Sequence, residues 1–548
     1  MKALSTLAAI WVGEHGWNLS ATGPKDTVAC EIISDNWRRE PAWRDPARLV
    51  DWALSIARSN ETPPPAIGRT LKFAKRADAD KVTRFALLIS PQACARFDLG
   101  ATPAPKTLID QHPWHDALTA AGWKIRSRTI GPWITIERPG AELGVLLVGW
   151  LDRSKPRELA GHGVVLGSNG HPDGWSSCFT HGEYRRRTGW PLSAGAGMAA
   201  VKGLWRYPRE AKVRWSADDD HWAAIPALAS RDQRPWHVHW TQTGYDAWRT
   251  IQATGEVALW DANADYLTAW TSARFARGLL QHTGPGGQRH ANGQPWAGYY
   301  LIGDIDWAPE VQYAIDMLPP IWGSRTPRPD GSVWVTHVIV QLLDSMRWAE
   351  DYEPPTYRIL DSYACEDSGQ IARGWGDKLK AALIEAREEA DRTKDAELIA
   401  LAEALKQSYA RGYPLMENAG FYKRPDHVDT LIDQRWDSAY RRMFKAAWDG
   451  ERYPLDVSAD EITYLWRDGD ERNGPLGEPD PRAFGRYKVK RRGTVAEWRQ
   501  SHADGRRGRW WMPAPELPAP GAPEPAQPAT QPTGDAGDGW DWLTTARG

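Results

Sequence analysis

Two short apolar strands, each bringing an acid to a strand end or interior, constrain this chain more than any other feature. Val257-Ala258-Leu259-Trp260 runs straight into Asp261, and Asp456–Trp466 reads as a strand carrying Asp460. Between them lies the clearest helical stretch, Trp375–Arg411. Its two halves, Lys378–Arg387 and Ala396–Lys406, are separated by the turn-like Asp391-Arg392-Thr393-Lys394-Asp395, which predicts a helical hairpin. Residues 427–449 predict a further helix. Strands are expected at Tyr299–Ile305 and Val333–Leu343, and a helix-like stretch follows Asp261 to about Leu280.

With 548 residues the chain exceeds what one core can organise, so several domains are expected. Upstream, the helical stretch Pro46–Ser59 alternates with the apolar runs Phe85–Ser90 and Gly144–Trp150 and the alternating run Trp133–Glu137, an α/β pattern. In residues 151–250 only a helix near Gly195–Trp205 stands out among Gly, Trp, Arg and His. The segment Met1–Val12 reads as a buried first strand or helix rather than a secretory signal, since it has a single Lys and runs into Glu14. No segment approaches the ~20 consecutive apolar residues of a membrane helix. The four cysteines (Cys30, Cys94, Cys178, Cys365) are scattered and form no Cys-x-x-Cys, which excludes a disulfide framework and fits a cytoplasmic setting. The formal charge of −2 excludes a polyelectrolyte binder, so contact with nucleic acid requires a local basic patch. Tryptophan occurs 33 times, and of 68 basic residues only 18 are lysine, a bias expected of a GC-rich genome.

Carboxylates brought together from distant strands are what metal-assisted phosphoryl chemistry needs, because two cations must be held a few ångströms apart. Asp261 and Asp460 are such a pair, with Asp456 and Glu461 nearby. The stretch from Gly485 to Trp510 carries nine basic residues, Arg486, Lys488, Lys490, Arg491, Arg492, Arg499, Arg506, Arg507 and Arg509. Trp498 and Trp510 are interleaved with them, a composition suited to phosphate pairing and base stacking. His237-Val238-His239 has strand spacing but no third ligand and is read as structural.

Four stretches resemble family-B DNA polymerases. Asp261-Ala262-Asn263-Ala264-Asp265-Tyr266 is similar to motif A, keeping its Asp and its Tyr five positions on. Lys406-Gln407-Ser408-Tyr409-Ala410-Arg411-Gly412-Tyr413 is similar to motif B, keeping Lys and Tyr but not the Asn, Ser and Gly. Ser458-Ala459-Asp460-Glu461 resembles motif C, with Ser in place of the first Asp. Gly485-Arg486-Tyr487-Lys488 resembles the family's G-x-x-K element. The resemblance implies that Asp261 and Asp460 hold Mg²⁺ or Mn²⁺ and act in catalysis. It implies that Tyr266, Arg387, Lys406 and Tyr413 contact the nucleotide, Tyr266 as a sugar gate. It further implies that Arg486, Lys488, Lys490, Arg491 and Arg492 bind DNA. The Asp-x-Asn-x-x-Tyr-Leu stretch also looks similar to actinobacterial plasmid, phage and telomere-replication proteins.

The architecture implied is a multidomain α/β chain. An RNase H/exonuclease-like α/β region over 1–250 precedes a palm with an antiparallel sheet over 251–350 and 426–484. Helical fingers occupy 351–425 and a basic thumb-like region 485–511. Asp173 and the cluster Asp218-Asp219-Asp220 are the candidate acids of the first region, which is expected to be a degenerate nuclease. Residues 512–548, rich in Pro and Ala, predict a disordered tail. It ends in Trp540, Trp542 and Leu543, a candidate docking peptide for a replication protein. The function implied is a template-dependent DNA polymerase using deoxynucleoside triphosphates in replication of a plasmid, phage or linear replicon. The rival is a polymerase-derived DNA-binding or telomere-associated replication protein without catalysis.

Overall fold

A computed structural model describes residues 3–4, 6–13, 16–22, 27–33, 45–58, 72–73, 83–97, 99, 107–126, 129–130, 132–192, 195–206, 213–214, 218–235, 238–241, 255–346, 353–418, 423–480 and 482–503. Arg506, Arg507, Arg509, His237 and the tail with Trp540, Trp542 and Leu543 lie outside the described residues. The elements used below follow in chain order. The first stretch holds β1 (Thr6–Val12), β2 (Gly16–Thr22), β3 (Thr27–Ile33), α1 (Pro46–Arg58), β4 (Thr83–Ile89), β5 (Lys124–Ile125), β6 (Trp133–Arg138) and β7 (Ala141–Leu147). Then come α2 (Gly174–Thr188), α3 (Gly195–Arg206), β8 (His239–Thr241), β9 (Glu256–Ala262), α4 (Asp265–Ser272), β10 (Ala297–Asp306), β11 (Val333–Thr336) and α5 (His337–Ser345). The rest are β12 (Thr356–Cys365), α6 (Arg373–Thr393), α7 (Ala396–Asn418), α8 (Pro425–Gly450), β13 (Asp456–Ser458), β14 (Glu461–Leu465), β15 (Tyr487–Thr494) and α9 (Val495–Ala503).

The chain divides into two units. One comprises residues 1–225, 266–299 and 362–435, the other 226–265, 300–361 and 436–548. The first unit is built on a seven-stranded sheet in the order β3-β2-β1-β4-β7-β6-β5. Its centre is parallel, β1 with β4 and β4 with β7, while the flanking pairs are antiparallel. Parallel strands are covered on both faces, and β4 obeys that rule, with six of its seven residues buried. Helix α1 lays Leu49, Val50, Ala53 and Leu54 against this core at helical spacing. The strand within Met1–Val12 is thus a central element of the sheet. The helical hairpin is present as α6 and α7, turned at Lys394, whose φ of 61° is left-handed.

The second unit carries a five-stranded sheet ordered β8-β13-β14-β9-β15, antiparallel at every pairing. Three expectations are corrected here. Val333–Leu343 is strand only to Thr336, whose hydroxyl accepts from the Val338 amide at 3.3 Å and starts α5. The apolar run continues because α5 buries nearly every side it presents, and periodicity cannot separate such a helix from a strand. Asp456–Trp466 is two strands, β13 and β14, joined at Ala459-Asp460. The helical stretch after Asp261 ends at Ser272 rather than near Leu280. In the first unit Asp173 caps α2, accepting from the Ser176 amide at 2.7 Å, and Asp218 caps the turn over Asp219–Ala223. Both acids have the structural role that Asp has at helix starts.

Candidate functional site

In the second unit the sheet brings Asp261 and Asp460 to one place. Val257 and Leu259 on β9 pack against Leu455, Val495 and Trp498, fixing the strand by its alternate residues. Asp261, two residues beyond Leu259, emerges on that same face. The neighbouring hairpin is anchored by Asp456, which is buried and accepts from Trp498 Nε1 at 2.5 Å and Thr463 Oγ1 at 3.1 Å. Ser458 pairs with Glu461, so only Ala459 and Asp460 form the tip. Ala459 has φ 59°, a region that ordinarily favours glycine, so the backbone is strained where Asp460 is presented. The Ala262 amide reaches the Asp460 carbonyl at 3.4 Å, and Asp261 stands opposite Glu461 in the ladder.

Strand β15 completes the group. Lys488 is opposite Asp261, and its ammonium lies 3.1 Å from Asp261 Oδ2. Register slips between Leu259 and Trp260, leaving Lys490 as the extra residue of a β-bulge. Lys490 forms an ion pair with Glu461. Arg492 instead lies opposite Ala258, pairs with Glu256 and covers the Trp466 ring at 4.0 Å. Residues 256 and 261 differ by an odd number, so Glu256 and Asp261 leave opposite faces of β9. The basic residues of β15 therefore do not form one patch: Lys488 and Lys490 serve the acid face and Arg492 the other. The segment before β15 is tied to the end of β9, Gly485 donating to the Asn263 carbonyl and Asn263 to the Arg486 carbonyl, each at 2.8 Å.

Burial raises the Asp261 pKa above its ordinary value, and the charge of Asp460 adds to the rise, while Lys488 and Lys490 oppose it. Glu461 is also raised by burial, against the pull of its ion pair with Lys490. Lys490 is raised even though burial opposes its charge, because the Glu461 hydrogen bond and neighbouring acids outweigh the desolvation. The face thus holds three carboxylates against two ammonium groups.

The remaining candidates belong to the first unit. Tyr266, in the first turn of α4, stacks on Tyr413 of α7 with centroids 4.3 Å apart and planes 16° from parallel. Their hydroxyls are 2.6 Å apart, and the Arg435 guanidinium covers the Tyr266 ring at 3.7 Å. Lys406 is two turns before Tyr413 on α7 and makes a loose surface pair with Glu403 at 3.8 Å. Arg387 is on α6 and half-buried. Sequence reading missed Arg435, which lies outside the motifs and is buried in the fold. It also missed that Lys488 and Lys490 engage the acids, which their alternation opposite Asp261 could have suggested.

No known family model matches the chain, and no curated protein does. Solved structures of Phi29 DNA polymerase resemble it loosely. Its orthorhombic crystal form is 12% identical with a TM-score of 0.36 over 55% of this chain, which spans about half, 53%, of that polymerase chain. The ternary complex with primer-template DNA and incoming nucleotide substrates is 10% identical, with a TM-score of 0.43 over 75% of this chain and 77% of that one. The post-translocation binary complex with primer-template DNA is 9% identical, with a TM-score of 0.42 over 90% and 84%. Likeness of that degree carries neither the fold nor the activity, which must be argued from the residues.

Whether the acids suit a divalent cation follows from their chemistry. Asp261 and Asp460 are hard oxygen donors in a partly buried setting whose mutual repulsion a cation would relieve. Among the described residues no group of three or more His, Cys, Asp or Glu closes around one point. Magnesium commonly needs only one or two protein carboxylates, the rest of its shell being water and substrate phosphate. The pair therefore fits such an ion. Among the described residues no helix is long and apolar enough to cross a membrane.

Proposed function

We propose that this chain is a template-dependent DNA polymerase of family-B type, binding primer–template DNA and deoxynucleoside triphosphates. The observation that carries the reading is the meeting of Asp261 with the hairpin tip bearing Asp460, two acids far apart in sequence, on one sheet face lined by Lys488. Asp261 and Asp460 would hold Mg²⁺ or Mn²⁺, which when bound would supply charge neutralisation at the triphosphate and lower the pKa of the primer hydroxyl. Lys488 holds the Asp261 carboxylate in place in the cation-free protein. Lys406 and Arg387 offer cationic charge to the triphosphate from the helical hairpin. Tyr266, its ring sandwiched between Tyr413 and Arg435, is held rigid as the sugar gate and meets the sugar with its edge. Arg486, Lys490 and Arg491 extend the contact to DNA phosphates, while Arg492 lies on the opposite face of the sheet. Replication of a plasmid, phage or linear replicon in the cytoplasm, and docking of a replication partner by Trp540, Trp542 and Leu543, complete the proposal.

Primer extension by purified protein with Mg²⁺ or Mn²⁺ tests this reading. Asp460→Asn is expected to abolish extension while DNA affinity changes little, because its carboxylate acts on the transition state. The second reading, a DNA-binding protein without catalysis, is favoured by Ser458 and by the ammonium groups already seated on Asp261 and Glu461. DNA binding without extension in either cation would establish it instead.

A further inference from the structure

The two lysines of the acid face are arranged as no ordinary DNA-contacting pair would be. A strand laid along a phosphate backbone exposes its cations, yet Lys488 is held by Asp261 of the adjacent β9 and Lys490 by Glu461 of β14 beyond it. Lys490 lies two residues beyond Lys488 and so shares its face, against Glu461, and the bulge there shifts the alternation that follows, turning Arg492 to the opposite face. The same acids are the ones a divalent cation would engage or adjoin, since Asp261 faces Glu461 and Glu461 follows Asp460. One set of carboxylates cannot fully serve both kinds of cation.

We propose that Lys488 and Lys490 form a masked phosphate-binding pair, released to the nucleic-acid backbone when a divalent cation engages the acids beside them. The inference rests on the reading of Asp261 and Asp460 as cation ligands. Without the ion, the carboxylates stand where phosphates would otherwise sit, and both ammonium groups are already paired. With it, both ammonium groups exchange a carboxylate for a phosphate oxygen. Cation and DNA then bind with positive and reciprocal coupling. Arg492, held by Glu256 on the opposite face, takes no part in the exchange.

The test is fluorescence anisotropy of a labelled primer–template duplex, without nucleotide, in Mg²⁺ or in EDTA at constant ionic strength. The Lys488→Gln/Lys490→Gln protein gives the baseline, since it reports the ion's own competition for DNA phosphate. Relative to that baseline, Mg²⁺ is expected to tighten wild-type binding at least about fivefold. It should also steepen the dependence of log K on log salt by about two, near one for each released cation. Glu461→Gln should gain about one of that slope already in EDTA, whereas Glu256→Gln should leave the Mg²⁺ effect intact. Equal responses of wild type and baseline to Mg²⁺, or a Glu461→Gln protein indistinguishable from wild type in EDTA, overturns the proposal. Extension activity without this coupling would sink the masked pair and leave the polymerase reading standing. Coupling without extension would do the reverse.

Discussion

Replacing Gly474 by alanine tests how tightly the sheet beneath the acids is packed. A Cβ built on Gly474 falls 2.0 Å from Trp260 Cη2 and 2.7 Å from Cζ2 and Cζ3, more than an ångström short of ordinary contact. The indole cannot swing away into solvent. Trp260 is fully buried, and it stacks on Trp466 with centroids 6.3 Å apart and planes 20° from parallel. Its Nε1 has no hydrogen-bond partner among the described residues, so packing alone positions the ring. Gly474 does not have a positive φ, so the penalty of Gly474→Ala is steric. Overpacking of this kind costs about 1–3 kcal/mol. Trp260→Leu removes the benzo ring that the new methyl would strike and by itself costs about 2–5 kcal/mol through the cavity it leaves. Combined, the two changes should relieve one another by about 1–3 kcal/mol. Because the chain has two units, whole-chain unfolding is not one transition. The assay is therefore hydrogen exchange at the amides of β9, read as opening free energies in the four proteins of the cycle. Additivity within about 0.5 kcal/mol, or a silent Gly474→Ala, would refute the packing argument.

Two further expectations concern titration. His162 and His181 are buried, and burial, aided at His162 by Arg411, lowers their pKa values to about 3 and about 4. Both are protonated in the unfolded chain below about pH 6.5, so the stability they lend is present above that pH and is lost as pH falls toward 4. The opening free energy of amides in the first unit, read by hydrogen exchange, should drop over pH 6.5–4 and drop less for His162→Asn, which cannot take up a proton; identical profiles would contradict this. Asp261 is raised in the folded protein, so its contribution to stability is present at low pH and lost as pH rises through the raised value. Lys488→Gln removes a charge that opposes the rise, and carboxyl ¹³C titration in cation-free buffer should find Asp261 ionising at still higher pH; an unmoved titration would show that the pair is not formed in solution.

What the sequence disclosed depended on whether an element's burial had a period. Helices α6 and α7 alternate charged and apolar residues around an acidic and basic turn, so the hairpin was readable. Helix α2 was not, because the residues it buries include Ser177, Thr180, His181 and Glu183, satisfied by neighbours a linear reading cannot supply. The pair Asp261 and Asp460 was legible as two acids on apolar strands. The hairpin tip that presents Asp460 was not, since Ala459 is an unusual residue for a left-handed turn and gives no turn signal. The bulge at Lys490 likewise leaves no mark in composition, although it decides which basic residues share the acid face. Arg435 was invisible because its partner, the Tyr266 ring, is distant in the chain.

The most direct test of the central claim is where a divalent cation binds. Crystals of the full chain grown or soaked with Mn²⁺ should show an anomalous scattering peak coordinated by Asp261 and Asp460, with Lys488 withdrawn from the Asp261 carboxylate. The peak should vanish in Asp460→Asn. Lys488 still seated on Asp261 with no peak beside the acids, or Mn²⁺ bound elsewhere in the chain, would contradict the account.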